Sequence, residues 1–236
     1  MSLSTVRSVT LPSLDAVPGL VHGFERRREA PGPESRDETR ARVSAALARY
    51  GTLLLLKQVH GASVVESPWE GTPAADASVS GEPGWLLGIE TADCLPVLLV
   101  DPRRRAVAAA HAGWRGTAAQ VAVSAVAALV ARGSRPPDLL AALGPCIGPC
   151  CYEVGEELRE AFGEDAPQVF RPGAGGRPHL DVRAANARQL ARAGLRPEAI
   201  AHVLECTRCS PGLYHSYRRD GRGAGRMISF VGFARD

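Results

Sequence analysis

Two side chains with reactive chemistry close one stretch of this sequence. Cys94 and His111 bracket TADCLPVLLVDPRRRAVAAAHAGWRGT, residues 91–117. A thiol near an imidazole has three common meanings. It is a nucleophile with its base, a pair of ligands on one metal, or two packed core residues. A second histidine, His60, follows the apolar run LLLLKQV at 53–59. Two imidazoles and a thiolate suit zinc, and three protein ligands leave a fourth position for water or substrate. The spacing of the three residues matches no compact finger or HExxH motif, so spacing leaves all three readings open. Polar, glycine-broken segments flank the pair: Thr91-Ala-Asp93 on one side and Gly113-Trp-Arg-Gly116 on the other. Such strand-end segments are where sites cluster, and Arg115 there is a candidate anion binder.

The elements that must position these residues are readable. Asp101-Pro-Arg-Arg104 suits a type I turn between strands at Leu95–Val100 and Ala106–Ala110. A turn with two central residues sets Cys94 directly opposite His111 on one sheet face. Further strands are expected at Thr52–Lys57, Ser63–Glu66, Leu86–Glu90, Leu139–Leu143, Val203–Cys206 and Met227–Phe233. Ser35-Arg-Asp-Glu38 is a capping-box pattern that opens a helix running to about Tyr50. Thr117 is expected to cap an Ala/Val-rich helix ending near Arg132, with Gly133 as its stop. Glu153–Phe162 and an Asp181-capped VRAANARQLARA are two more helices, and Pro197 suits the first turn of a last short one. Helices and strands interleave without strict alternation. The expected fold is α/β, a single domain across 1–236 in which a mixed sheet is covered by helices.

Composition narrows the function classes. The chain has 236 residues, 45% hydrophobic and 22% charged, close to a globular average. Net charge is +3, too small to argue for nucleic acid or a membrane surface. No stretch reaches the roughly 20 apolar residues of a membrane span. The first residues lack the basic-then-apolar layout of a signal peptide. The expectation is therefore a cytoplasmic protein, in which six cysteines are not disulfides.

Several segments together resemble one family. KQVHG (57–61), TADCLPVLL (91–99), AAAHAGWRGT (108–117), LGPCIGPCCYEVG (143–155), LDVRAANARQL (180–190) and YRRDGRGAGRM (217–227) closely resemble the laccase-domain family. Its members are called multicopper polyphenol oxidase-like proteins, purine nucleoside phosphorylases or peptidoglycan editing factors. The resemblance runs from about Pro18 to Phe233. It implies a layered α/β sandwich related in shape to cysteine-hydrolase-like toxins. It also implies a zinc held by His60, Cys94 and His111. The implied activity is phosphorolysis of adenosine, inosine, guanosine and methylthioadenosine, with hydrolytic deamination of adenosine. The partners are then purine nucleosides and inorganic phosphate.

Within that reading Arg115 and Arg27 are candidates to bind phosphate, and Gln58 is either a polar pocket contact or a plain sheet residue. Asp93 either orients a ligand histidine or holds its turn. Gly144–Gly155 is either an anion or nucleobase loop or a structural turn. Tyr217-Arg-Arg219 either anchors the C-terminal strand or touches substrate. One segment departs from the family pattern. Where the family has Phe-Ser-Thr-Arg-x-Gly-Gly, this chain reads Phe24-Glu-Arg-Arg27-Arg-Glu-Ala. Cys146, Cys150 and Cys151 read as small packing residues, and Cys206/Cys209 as a CxxC short of ligands for a second metal.

Two alternatives stand beside zinc. A metal-free hydrolase acting on cell-wall precursors would use Cys94 and His111 alone. A copper-dependent polyphenol oxidase would need paired histidine motifs, and this chain has six scattered histidines.

Overall fold

A computed structural model describes residues 6–28, 34–173 and 175–235. The first five residues and part of the Phe24–Ala30 segment, namely Glu29 and Ala30, lie outside that range. In chain order the strands are β1 Ser8–Val9, β2 Leu20–Glu25, β3 Thr52–Leu54, β4 Val64–Glu66, β5 Ala77–Ser80, β6 Trp85–Thr91, β7 Leu95–Asp101, β8 Ala106–Ala112, β9 Leu140–Leu143, β10 Phe170–Pro172, β11 Pro178–Leu180, β12 Ile200–His202 and β13 Met227–Phe233. The α-helices are α1 Pro12–Asp15, α2 Arg36–Leu47, α3 Trp114–Ala118, α4 Val121–Ala131, α5 Leu158–Phe162, α6 Ala166–Val169, α7 Val182–Arg192 and α8 Tyr217–Asp220.

Two mixed sheets form the frame. One has the order β1-β2-β13-β6-β3, the other β12-β9-β7-β8-β5-β4, and β10-β11 is a separate ribbon. Side-chain alternation along β7 explains how they stack. Leu98 and Val100 face the first sheet, packing in one cluster with Phe24, Leu87, Ile89 and Val231. Leu95, Val97 and Leu99 point the other way, into a cluster with Val121, Ala125 and Leu129 of α4 and Leu190 of α7. On the outer face of the first sheet, Leu86, Ile228 and Phe230 meet Val43 and Leu47 of α2. The layers are thus helix, sheet, sheet, helix: the α/β sandwich of mixed sheets that the family resemblance implies, with two sheets where element order alone suggested one. Central strands covered on both faces read as unbroken apolar runs, and every residue of β7 and β8 is buried.

Local signals held where their partners are neighbours in sequence. The Ser35–Glu38 capping box forms in both directions and starts α2. Asp181 accepts the Ala184 N–H at 2.9 Å and starts α7. Gly133 closes α4 with φ 89°. Other expectations need correction. Thr117 does not cap α4, because it lies inside α3 and its hydroxyl accepts from Asn186 at 2.9 Å. The chain breaks instead at Gln120, in the left-handed region with φ 58°. The helix expected at Glu153–Phe162 keeps only its second half, because Glu153 bridges to His179 as extended chain. The strand expected at Val203–Cys206 falls earlier, at β12. Pro197 opens a 3-10 turn. Strands β1, β2, β5, β10 and β11 were not anticipated.

The hairpin register is also corrected. Asp101 pairs with Ala106 and Pro96 with His111. Continuing that register sets Cys94 opposite Gly113, two residues from the expected partner. The reason is the turn. Asp101 Oδ1 accepts the N–H groups of both Arg103 and Arg104 at 3.0 Å. Arg105 then takes φ 51°, and the loop lengthens to residues 102–105.

Candidate metal centre and cavity

His60, Cys94 and His111 come together despite the shifted register, with ligand atoms within 4.8 Å of one another. Each arrives differently. His111 stands inside β8 and is buried. Cys94 sits half-buried just before β7, and His60 is exposed after the β3 edge. The imidazoles meet edge to face, with ring centroids 4.8 Å apart. Gly113 lies beneath them. A Cβ there would stand 3.0 Å from Cys94 Sγ and 3.2 Å from His60 Cδ2, so the absent side chain leaves room for both.

Asp76, which the sequence reading missed, organises the group. It is fully buried at the entry to β5. Its Oδ1 lies 2.8 Å from His111 Nδ1. That carboxylate holds the Nδ1 proton and turns Nε2 to the centre. The same carboxylate accepts N–H groups from Val59 at 3.1 Å, His60 at 2.9 Å and Gly61 at 2.7 Å. Those bonds hold His60 at φ 63°, a region β-carbon residues enter at a cost. One buried acid therefore fixes two histidines. Its sequence signal is faint: an aspartate amid small residues in Pro73-Ala-Ala-Asp76-Ala-Ser78.

Electrostatics follow from this geometry. Burial alone would raise the Cys94 thiol, but His111 and His60 outweigh it and bring it down to about 6. Burial would lower His111, but Asp76 and Cys94 hold it up at about 9. Without a metal the cluster is a thiolate beside an imidazolium. The donor set also fits zinc: two nitrogens, one easily ionised sulfur, an oriented histidine and a glycine making space.

The centre forms part of a cavity of about 520 Å³, within the range of small-molecule sites. Trp114, Tyr152 and Tyr217 supply aromatic lining; Arg36, Arg115, Arg218 and Arg226 supply charge. Arg36 is bound to the buried Glu90 carboxylate at 2.9 and 2.6 Å, alongside Arg40. Arg218 donates to the Glu153 carbonyl at 2.9 Å and Arg226 to the Ala224 carbonyl at 2.9 Å. Arg115 is exposed and stacks 4.2 Å from the Trp114 ring centroid. Among the described residues no acceptor takes its guanidinium.

The other candidates are placed as follows. Gln58 lines the cavity, but its amide is paired both ways with the Glu90 backbone, at 2.8 and 2.9 Å. It fastens the His60 loop to β6. Arg27 does not line this cavity. It donates to the Pro211 carbonyl at 3.3 Å and faces a neighbouring cleft that shares Arg226. Asp93 touches neither histidine; it accepts from Thr207 Oγ1 at 2.5 Å and Arg218 N at 2.6 Å. That is the turn-holding alternative. In Tyr217-Arg-Arg219 the roles divide. Tyr217 and Arg218 line the cavity, whereas Arg219 binds the Thr207 and Tyr214 carbonyls. In the 144–155 loop, Ile147 and Tyr152 reach the cavity. Cys146 is the packing thiol expected, fully buried and pushed up to about 12 by burial. Among the described residues no helix is long and apolar enough to cross a membrane.

Comparison with known proteins agrees with this architecture. A purine nucleoside phosphorylase of Deinococcus radiodurans is 39% identical over 214 residues, covering 90% of this chain and 82% of that protein. The adenosine deaminase RL5, from an unknown prokaryote, is 39% identical over 160 residues, covering 66% of this chain and 61% of that protein. The crystal structure of YlmD from Geobacillus stearothermophilus superposes with a TM-score of 0.84 at 28% identity, covering 98% of this chain and 100% of that one. The family model described as multi-copper polyphenol oxidoreductase laccase matches residues 31–234, which take in the ligand cluster, Asp76 and the aromatic lining alike. The chain belongs to that laccase-like family.

Proposed function

We propose that this protein is a zinc-dependent purine nucleoside phosphorylase with adenosine deaminase activity, acting on adenosine, inosine, guanosine and methylthioadenosine. The observation that carries the reading is the convergence of His60, Cys94 and His111 beside a cavity lined by aromatic rings and the Arg115 guanidinium, which no acceptor among the described residues takes. The names of the relatives supply the reaction class.

Zinc held by the three residues supplies a Lewis acid with an open coordination position. The chain's own groups do the rest. Trp114, Tyr152 and Tyr217 offer flat apolar surface on which a purine can stack. Arg115 presents donors to phosphate, orients it towards the ribose C1′ and offsets the charge its oxygens already carry, while the electron pair of the glycosidic bond leaves with the purine. Asp76 keeps His111 in one tautomer throughout.

A second reading rests on one specific feature. Asp76, His111 and Cys94 form an acid–imidazole–thiol chain that would also serve a metal-free cysteine hydrolase. His60 separates the two, because the hydrolase does not need it. Zinc content and phosphate-dependent base release from inosine, with ammonia release from adenosine, are measured for wild type and His60→Ala. One zinc at this centre, lost in the variant with both activities, supports the phosphorylase. Full activity in metal-stripped wild type rejects it.

A further inference from the structure

Six cysteines are present and the centre above uses one. Four others, Cys150, Cys151, Cys206 and Cys209, bring their sulfurs within 4.8 Å of one another. We propose that these four thiolates form a second, structural metal site that holds zinc as a tetrathiolate. This does not depend on the activity assigned to the cavity.

Cys150 and Cys151 read from sequence as small packing residues, and adjacency in extended chain discourages two side chains from sharing a metal. The backbone corrects that. Cys151 N and Tyr152 N both donate to the Gly148 carbonyl, at 2.9 and 3.0 Å. In this tight turn both thiols reach Cys209, with sulfur separations of 3.7 Å for Cys150 and 3.3 Å for Cys151. Four sulfurs at ~2.3 Å from a tetrahedral zinc stand about 3.8 Å apart. All six thiols are free, and a reducing compartment keeps such a cluster available to metal.

The surroundings suit anionic sulfur. Gly148 N donates to Cys206 Sγ at 3.2 Å. Arg208 Nη1 lies 3.5 Å from Cys151 Sγ, a cation beside a site that carries net negative charge once loaded. A Cβ on Gly148 would stand 3.3 Å from Cys150 Sγ and from Cys206 Cβ, so the turn approaches the cysteines more closely than a bulkier residue would allow. Four sulfur ligands fill zinc's tetrahedron and leave no position for substrate, the mark of a structural site.

The site has a clear mechanical use. It joins the 148–152 turn to the loop beginning at Cys206. Tyr152, next to Cys151, lines the cavity, and Thr207, next to Cys206, holds Asp93 beside Cys94.

The test is elemental analysis of full-length protein purified under reductant without chelator, together with cobalt substitution. Wild type is expected to hold two zinc ions per chain. The Cys206→Ser/Cys209→Ser double variant is expected to lose one, and Cys209→His, which retains a ligand, to keep it. Cys94→Ala leaves all four cysteines intact. Cobalt-loaded Cys94→Ala should show strong thiolate-to-metal charge transfer and the ligand-field bands of a tetrahedral tetrathiolate. That measurement reads the site even if the double variant fails to fold. Absence of those bands, or a disulfide among the four cysteines under reductant, overturns the proposal. A failure of the His60–Cys94–His111 centre would leave the tetrathiolate spectrum unchanged, so the two readings fail separately.

Discussion

Two thiol clusters of this protein differ in almost every respect that governs metal chemistry. The His60–Cys94–His111 group offers three mixed donors beside a cavity, and a buried carboxylate turns one histidine. The four-cysteine group offers four sulfurs on two loops, with Cys150 and Cys209 exposed and the Gly148 N–H aimed at Cys206. An open coordination position goes with catalysis and a filled one with support. The difference also shows in single thiols. Cys94 is lowered to about 6, because His111 and His60 outweigh burial. Cys150, though its residue is exposed, is raised by partial desolvation of the sulfur and then by hydrogen bonds in which Cys206 and Cys209 hold its proton. The same side chain becomes a ready anion or a reluctant one according to the charges facing it.

The largest expected effect breaks the first cluster. Cys94→Ala or His60→Ala should lower kcat/KM for inosine phosphorolysis by about a thousandfold, or ~4 kcal/mol of transition-state stabilisation. Retention of wild-type activity would remove the catalytic assignment. Next comes the carboxylate that has no counterpart in the cysteine cluster. Asp76→Asn should weaken zinc affinity or activity by about 10–100-fold, the usual loss when a ligand histidine's partner is removed, measured by chelator competition.

Alkylation sharpens the electrostatic contrast. In metal-free folded protein at pH 7, Cys94 lies above its lowered value and is mostly thiolate, whereas Cys150 lies below its raised one and is mostly thiol. Cys94 should react with iodoacetamide at least about tenfold faster, and its rate should fall as pH drops through about 6. Peptide mapping over time decides between this and the opposite order.

Arg115→Gln should raise the KM for phosphate roughly tenfold with zinc content unchanged, as expected for one charged hydrogen-bond donor. An unchanged KM would move phosphate binding to Arg218 or Arg226. The smallest effect on chemistry belongs to the second cluster. Cys209→Ser should cost about 2 kcal/mol and lower Tm by roughly 4–8 °C, with kcat at low temperature within about twofold of wild type. A large kcat loss without a stability change would make that cluster catalytic.

Much of this molecule was legible residue by residue. The capping box at Ser35, the Asp181 cap and the unbroken apolar runs of β7 and β8 are instructions carried by near neighbours, and they folded as read. The segments around His60, Cys94 and His111 marked out the three residues that meet. Other features depended on partners distant in sequence. Asp76 gains its role by packing beneath the His60 loop and beside β8. Gln58 read as a candidate pocket contact, but β6 takes both ends of its amide. The hairpin register turned on how the Asp101 side chain captured two N–H groups. Cys150 and Cys209 lie far apart in the chain, and no local pattern foretold their meeting. Sequence alone therefore determined the elements that carry their own caps or apolar runs, and the chemically able residues, because caps, periodicity and side-chain type act locally. Tertiary structure alone decided which acid orients which histidine, which arginine finds no acceptor among the described residues and which cysteines lie together. Those choices depend on long-range packing, where one buried hydrogen bond or a shift of register changes the partner.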